Sequence, residues 1–575
     1  MEQGRDTSAD SGHWQERVAR LEALVAQQQT LAAGQQALIS QQQAAIAAYQ
    51  EQLERQNEQL VLLKRALFAS RRERYLPSPD QKLLFISPPA ESAADEEAAD
   101  CDEEEPPPAQ SARPRRRGKR FVFPAGLPTR RSDHPLPDEQ LACSCCQQPR
   151  VVISEHVTKQ LELEPAQAYI VEHVRYTYAC PKCRSGDQVQ TTSKPPLPIE
   201  KSPFGPSVLA TIAVYKYARH MALYRQQEQM LGPLGVWLSR SLLCRLVRGT
   251  AEALSPLARR ILELILQSYV IQVDETPVRY LANLSDRALT GYFWGFAGDH
   301  EHRYVAYDFQ TSRGRDGPRA ILAGYQGYLQ SDGYSVYESL VREDAARLTH
   351  VACWAHARRK FDEALCTTSH PLLNETLAAI GQLYDVEDRA AAMFHEQRRE
   401  LRRAESRWIV DRLHARLTAV RGELRPSSKL GEAVEYALYR WPSLVRYLDD
   451  GHLAIDTNHL ERQFRPIAVG RANWLFLGRE TAGPTAATLY TVIQSARLNE
   501  VDVLPYLTDV LRHLPAVAAD DRTGIDQSLP DRWLAAHPEH RLIERQRESR
   551  QVQTRRKARR AARRAASQGL AASGG

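Results

Sequence analysis

Apolar residues recur at every seventh position near the N-terminus: Val18, Val25, Ala32, Ile39, Ile46, Leu53, Leu60 and Leu67. Leu24, Leu31 and Leu38 flank that stripe, and Leu21, Tyr49 and Leu63 each follow a member of it by three residues. Sustained heptads over 14–68 without proline predict a coiled coil, placed within 14–76. The positions that complete the seam hold Gln28, Gln35, Gln42 and Gln56. Polar seam residues weaken the pairing and fix its register, so the expectation is a homodimer or trimer of modest strength. The competing reading is one long amphipathic helix folded back on its own domain.

The pattern then changes several times. YIVEHVRYTY at 169–178 alternates like a strand within a compact segment at 121–200. A helical periodicity runs through 201–262, broken at Gly232-Pro233-Leu234-Gly235 and resuming near Ser239. Short helices around a Gly-containing turn fit a helix-turn-helix DNA reader, and equally an ordinary helical hairpin. From residue 269 apolar runs of strand length follow one another: YVIQVDETPV, GYFWGFAG, RYVAYDFQ, GYLQSDGY and the start of THVACWAHARRKF. A helical stretch, GPRAILAGY, separates the third from the fourth. Three strands, a helix, a strand and a further β/α stretch are the order of an RNase H-like α/β core, here 263–361. Residues 362–451 carry no strand signal and read as an all-helical insertion, after which 452–515 completes the core. The fold class expected is therefore multidomain: an α/β RNase H-like catalytic core with an all-α insertion, an N-terminal coiled coil and a small zinc-binding β module.

Composition narrows the class. With 25% charged residues and a mean hydropathy of −0.49 the chain is of soluble type. Its most apolar stretch, 261–273, is too short to span a bilayer and is interrupted by Glu263. The N-terminal residues hold no segment of signal-peptide type, so a cytoplasmic, nucleoid-associated protein is expected. The net charge of +6 is concentrated: RRKARRAARR at 555–564 carries seven basic groups and no acid. An acidic run, DEEAADCDEEE, precedes three prolines and then RPRRRGKR, so 77–120 reads as a disordered charged linker and 516–575 as a C-terminal segment with a basic tail. Such basic blocks bind polyanions without sequence preference, or serve only as solvated, solubilising segments.

Two constellations carry chemistry. Cys143-Ser-Cys-Cys146 and Cys180-Pro-Lys-Cys183 are two knuckles separated by a hairpin-like stretch, which suits one tetrahedral, closed and hence structural Zn²⁺. Cys145 competes with Cys143 for the first knuckle; Cys143 is preferred because a two-residue gap lets both sulfurs face one metal. The second is made of carboxylates. Asp274 ends the apolar run at 269–273 and Asp332 follows Tyr328-Leu-Gln-Ser331, while Glu461 lies on a helix expected over 456–465 and stopping before Pro466. Two strand carboxylates and one helix carboxylate are able to hold a pair of Mg²⁺ (or Mn²⁺) ions, since hard oxygen donors favour those cations. Read blandly, Asp332-Gly333 is a turn dipeptide and Glu461 an ion-pair partner of Arg465. Arg462, Arg465 and Arg471 suit DNA phosphate binding. Trp474 suits stacking on a base or, as commonly in such a run, core packing. Cys353 and His356 are too few for a metal site and read as a packed strand-end pair.

VDETPV, SDGYSVY, CWAHARRKF and NHLERQFRPIAVGRANWLFLG, in that order, together resemble the insertion-sequence-66 family of bacterial transposases. LKRALFASRRERY upstream and SARLNEVDVLPYLTDVL downstream fit the same family, so the resemblance covers most of the chain. It departs at GRANW, where the family usually has a second basic residue, and in the length of the basic tail. The resemblance implies a DDE triad at Asp274, Asp332 and Glu461, and metal-dependent cleavage and strand transfer at the terminal inverted repeats of an insertion sequence. It also implies a zinc module that helps recognise DNA, double-stranded DNA at element ends and target as partner, and small accessory proteins of the same element. The rivals are a non-catalytic transposase-derived DNA-binding regulator and a metal-dependent nuclease without strand transfer.

Overall fold

In the first sheet the strand β3 (Gln167–Ala179) lies between β1 (Thr129–His134), with which it runs parallel, and β2 (Val151–Glu164), with which it forms a long antiparallel hairpin. A short β4 (Val189–Thr191) also pairs with β3. The computed structural model describes residues 20, 28–30, 34–36, 38–45, 52, 56, 123, 127–143, 145, 148–164, 167–179, 189–282 and 287–542. On β3 the buried apolar side chains are Ala168, Ile170, Val174 and Tyr178, all an even number of residues apart as one strand face requires, and Thr177 is buried on the other face. Leu161, Leu163, Ala168 and Ile170, near the hairpin turn, join the main hydrophobic core. Val151, Val152, Ile153 and Val157, farther along β2, are exposed.

The chain then forms α1 (Pro206–Tyr217), a run of short helical turns over 223–234, and α2 (Arg240–Ile265). Ser239 caps α2 by accepting the Leu242 N–H at 3.2 Å, which satisfies one of the amides left orphaned at a helix start. Leu243, Leu246, Val247, Leu254, Leu257, Ile261 and Leu264 form its buried stripe, spaced as a helix face demands.

The second sheet has the order β7-β6-β5-β8-β9. Its strands are β5 (Val270–Leu281), β6 (Ala288–Ala297), β7 (Val305–Gln310), β8 (Gly327–Ser331) and β9 (Leu348–Ala352). β5, β8 and β9 are parallel, whereas β6 and β7 are antiparallel additions. α3 (Asp316–Ile321) leads from β7 to β8 and α4 (Ser335–Glu343) from β8 to β9. Beyond β9 every described element up to Leu475 is helical: α5 (Trp354–Leu365), α6 (Pro371–Ala390), α7 (Arg407–Arg421), α8 (Lys429–Tyr439), α9 (Asn458–Gln463) and α10 (Arg465–Trp474), with shorter turns between. Then come α11 (Ala482–Leu498) and α12 (Val503–His513). β7 would leave an open edge, but Thr491 and Ser495, one turn apart on α11, accept the Tyr307 and Val305 N–H groups at 2.9 and 3.1 Å.

The chain divides into two compact units. One comprises Met1–Arg74, Ala357–Asp385 and Ser406–Tyr439, the other Tyr75–His356, Val386–Glu405 and Arg440–Gly575. Within the first, α7 and α8 pack on each other and Arg421 pairs with Glu435 at 2.5 Å. The described residues between 20 and 56 are helical and exposed. Most of the heptad stripe, the linker at 77–120 and the tail at 555–564 lie outside the described residues. The second unit buries one cation completely: Arg402 forks onto Glu387 with two bonds of 2.7 Å and donates to the Tyr447, Asp450 and Leu453 carbonyls.

Candidate active site

β5 is 12 residues long, but β8 accompanies it only over Val270–Gln272. Where β8 ends and the chain turns away through Asp332, the edge of β5 opens, and Asp274 lies at that opening. Asp274 faces Gly295 across the β5–β6 ladder. A Cβ at Gly295 would come within 2.6 Å of the Phe464 ring and 3.3 Å of Leu460. The absence of a side chain there is what lets the Glu461 helix, α9, lie down beside Asp274. Asp332 accepts the Tyr334 N–H at 2.8 Å, so it makes the turn that its Asp-Gly pair suggested while its charge acts on Asp274.

The three carboxylates come from distant parts of the sequence and share one electrostatic environment. Burial pushes the Asp274 carboxyl well above the usual carboxylate range, and repulsion from Asp332, Glu275 and Glu461 adds to it, with His356 opposing. Glu275, the next residue on β5, points to the opposite face. There it is held by Arg313, with bonds of 2.9 and 2.6 Å, and by the Tyr337 hydroxyl. Burial, followed by Asp332, raises its carboxyl too, against the lowering effect of Tyr337 and Arg313. A half-buried carboxylate surrounded by like charges is costly unless a cation joins it. Asp274, Asp332 and Glu461 supply hard oxygen donors that fit a divalent cation of the Mg²⁺ type. Among the described residues no three His, Cys, Asp or Glu side chains gather around a single point as they stand, so the fit rests on donor chemistry and mutual charge.

His356 changes the reading of its motif. Cys353, at the end of β9, is fully buried and accepts from the Thr457 N–H and hydroxyl, both at 3.3 Å. Burial, followed by Asp456, pushes its thiol up to about 12. That is the packed strand-end residue expected. His356, in the first turn of α5, bonds the Cys353 sulfur through its backbone, while its ring Nε2 stands 3.6 Å from Glu461 Oε1. The sequence also hid two glutamines. Gln272 and Gln330 are buried, paired in register, and each stands two residues before a site aspartate. The repeated Gln-x-Asp in YVIQVDE and GYLQSDG was the available signal.

The basic residues separate. Arg462 and Arg465 are exposed, on α9 and at the start of α10. Pro466 does not stop the chain's helicity: it occupies the first turn of α10, where its missing N–H costs nothing. Arg471 donates to the Pro277 carbonyl at 2.5 Å and the Thr276 hydroxyl at 3.2 Å, which ties α10 to β5. Trp474 is half-buried against the core, over Gly470. Leu475 has φ 60° and ψ −47°, and Phe476 N–H bonds the Trp474 carbonyl at 2.6 Å, a γ-turn of the rarer, strained hand with an exposed leucine at its tip. In the helical region, Gly235 at φ 72° ends the turns that precede α2. The exposed Trp237 and Tyr224 flank the start of α2, and Arg225 and Arg240 lie 5.4 and 5.8 Å from the Tyr224 ring.

Of the cysteines expected to bind zinc, Cys143 is buried on a small loop closed by Cys143 N–H to the Gln148 carbonyl (2.9 Å) and Arg150 N–H to the Leu141 carbonyl (2.8 Å); Cys145 is exposed. Cys146, Cys180 and Cys183 lie outside the described residues.

Comparison with known proteins agrees along the chain. Residues 201–485 match the family model described as Transposase IS66 family, residues 140–184 the zinc-finger binding domain of transposase IS66, and residues 55–131 the model described as Transposase C of IS166 homeodomain. Three proteins of Sinorhizobium fredii (strain NBRC 101917 / NGR234), each named as uncharacterized, are similar over long spans. The chain is 31% identical to y4jD, covering 74% of this chain and 84% of y4jD. It is 33% identical to y4qI, covering 66% and 71%, and 31% identical to y4hP, covering 68% and 74%.

Proposed function

This chain belongs to the IS66 transposase family, and we propose that it cuts DNA at the inverted repeats ending its element and joins those ends to a target duplex, with Asp274, Asp332 and Glu461 as the catalytic triad. The observation that carries the reading is that the charges of Asp332 and Glu461 act on the buried Asp274 carboxyl. One carboxylate comes from mid-β5, one from the turn after β8 and one from a helix beyond a long helical insertion. In the first step water attacks a phosphodiester, the P–O bond to the neighbouring sugar breaks, and a 3′-hydroxyl is released. In the second that hydroxyl attacks a target phosphodiester, and one ester bond forms as another breaks, so the exchange needs no further reactant. Two divalent ions, when bound, supply charge neutralisation for both the entering and the departing oxygen. The protein's part is to hold the carboxylates rigidly and to place DNA across the open edge of β5.

Other features support the wider reading. A sheet of three antiparallel strands extended by two parallel ones, with one acid on its first strand and one just past its fourth in chain order, suits an RNase H-like core. Arg462 and Arg465 are exposed to phosphates. The exposed Trp237 and the Tyr224–Arg240 pair suit DNA contact by the helical region at 201–262. A buried Cys143 beside an exposed Cys145 favours Cys143, with Cys146, Cys180 and Cys183, as the structural zinc set. Leu38 and Ile39, adjoining members of the heptad pattern, are exposed on the single chain, as a seam awaiting a second copy would be. No described helix is long and apolar enough to cross a membrane, and we place the protein at the nucleoid.

The test is a purified full-length protein with labelled element ends in Mg²⁺. Asp274→Asn, Asp332→Asn and Glu461→Gln should each abolish both nicked and joined products while retaining DNA binding. A variant that cleaves at a near-native rate removes that residue from the triad. Nicked DNA without joined product would favour a nuclease.

A further inference from the structure

Gln272 and Gln330 form a bridge that reaches from the sheet to the helix carrying Glu461. Gln272 Nε2 donates to Gln330 Oε1 at 2.9 Å and to the Asp456 carbonyl at 3.1 Å. Gln272 Oε1 accepts the Leu460 N–H at 3.2 Å. Gln330 Nε2 donates to the Ala454 carbonyl at 2.6 Å. Gln330 is wholly buried and Gln272 nearly so, at 7% exposure.

Each bond has a positional consequence. Residues two apart on a strand point to the same face, so Gln272 shares a face with Asp274, while Asp332 follows Gln330 just past the end of β8. The groups they hold, Ala454, Asp456 and Leu460, all belong to the segment that delivers Glu461. Leu460 N–H is one of the amides that a helix start leaves without an internal partner, and the sheet supplies its acceptor. A hydrophobic pair at 272 and 330 would fill the same space without specifying the helix's distance from the strands. Buried amides specify it, because leaving any of these groups unmade is costly.

We propose that Gln272 and Gln330 are positioning residues that set the distance of Glu461 from Asp274 and Asp332, and so the affinity of the site for divalent cations. The proposal rests on the reading of those three carboxylates as the catalytic site. Partners that orient metal-binding side chains typically change metal affinity or activity by ~10–100-fold when removed.

The experiment uses full-length protein and Mn²⁺ as probe, with affinity measured by calorimetry and by the loss of the free-ion electron paramagnetic resonance signal. Gln272→Met and Gln330→Met should each weaken Mn²⁺ binding at least tenfold. Cleavage should fall at fixed Mn²⁺ and recover partly at high Mn²⁺, with DNA affinity unchanged within twofold. Hydrogen exchange at the Leu460 amide should accelerate in Gln272→Met, whose side chain offers no carbonyl. Gln494→Met, at another buried glutamine of the same unit, is the control for general loosening and should leave Mn²⁺ affinity as it is. If a methionine variant fails to fold, Gln272→Asn and Gln330→Asn, which keep the amide but shorten its reach, serve in its place with the same expected loss. Folded variants that bind Mn²⁺ like the parent overturn the proposal, as does a Gln494→Met control that loses affinity equally. If Asp274→Asn also leaves Mn²⁺ binding and cleavage intact, the catalytic reading itself has failed, which is a separate result.

Discussion

His356 Nε2 stands 3.6 Å from Glu461 Oε1, beyond hydrogen-bond distance but close enough for the imidazole to offset the repulsion that Asp332, Glu275 and Glu461 exert on Asp274. Its Nδ1 makes no hydrogen bond among the described residues. His356→Phe keeps the ring's bulk and removes its polarity. Cleavage should fall about 10–100-fold, the range seen when groups supporting a metal site are lost. Titrating Mg²⁺ should show a higher requirement, and an unchanged Mg²⁺ curve would mean that His356 only packs.

Gly295 offers a steric probe of the same site from the neighbouring strand. Gly295→Ala would place its Cβ within 2.6 Å of the Phe464 ring, so the ring, or α9 with it, must shift. Overpacking of this kind typically costs about 1–3 kcal/mol. The expected signature is a cleavage loss larger than the small drop in melting temperature would explain, because the displaced element carries Glu461. Full cleavage with a lowered melting temperature would show that α9 absorbs the methyl group without moving its carboxylate.

Zinc content discriminates between neighbouring cysteines. Cys143→Ser should yield protein without bound zinc, whereas Cys145→Ser should keep one equivalent, because Cys143 is buried in the knuckle loop and Cys145 is exposed. Structural zinc contributes ~10–16 kcal/mol of apparent folding free energy in small finger peptides. The 121–200 module of Cys143→Ser should therefore become sensitive to protease. Atomic absorption on the two purified variants decides the assignment.

His350 predicts a pH dependence of stability. Burial, reinforced by the Arg446 and Arg440 guanidiniums, pushes it down to about 4, and it bonds Ser331 Oγ at 2.9 Å. The unfolded chain, with an ordinary histidine near 6.5, binds the extra proton first. The stabilisation is therefore complete above pH 6.5 and lost as pH falls towards 4, by up to about 3 kcal/mol. Denaturation midpoints at pH 7, 6 and 5 should decline in the parent and decline less in His350→Gln.

The sheet was legible because its strands are apolar runs bounded by turn residues, and Asp274 and Asp332 stood out at the ends of such runs. Glu461 needed the family resemblance, since a glutamate on an amphipathic helix is ordinary. Arg402 was not legible. It lies in HEQRRELRRAESR, which reads as a solvated basic helix, and only tertiary packing against Glu387 and three carbonyls makes one of those arginines a buried core residue. Gln272 and Gln330 were passed over for a related reason: a glutamine within a strand carries no mark of which face it occupies until the partner strand is known. The helix that follows the one carrying Glu461 was not legible because Pro466 signals a stop from one side and a start from the other.

The strained turn at Leu475 has a consequence for solubility. It reverses the chain so that Leu477 N–H reaches the Arg279 carbonyl at 3.0 Å and the Gly478 carbonyl accepts Leu281 N–H at 2.8 Å. This is the stretch of β5 that β8 does not accompany. Those few residues thus act as a guard on a strand that would otherwise present bare amides and carbonyls to any passing chain. Without them that edge would lie bare on the β5–β6 hairpin, open to strand addition by another chain.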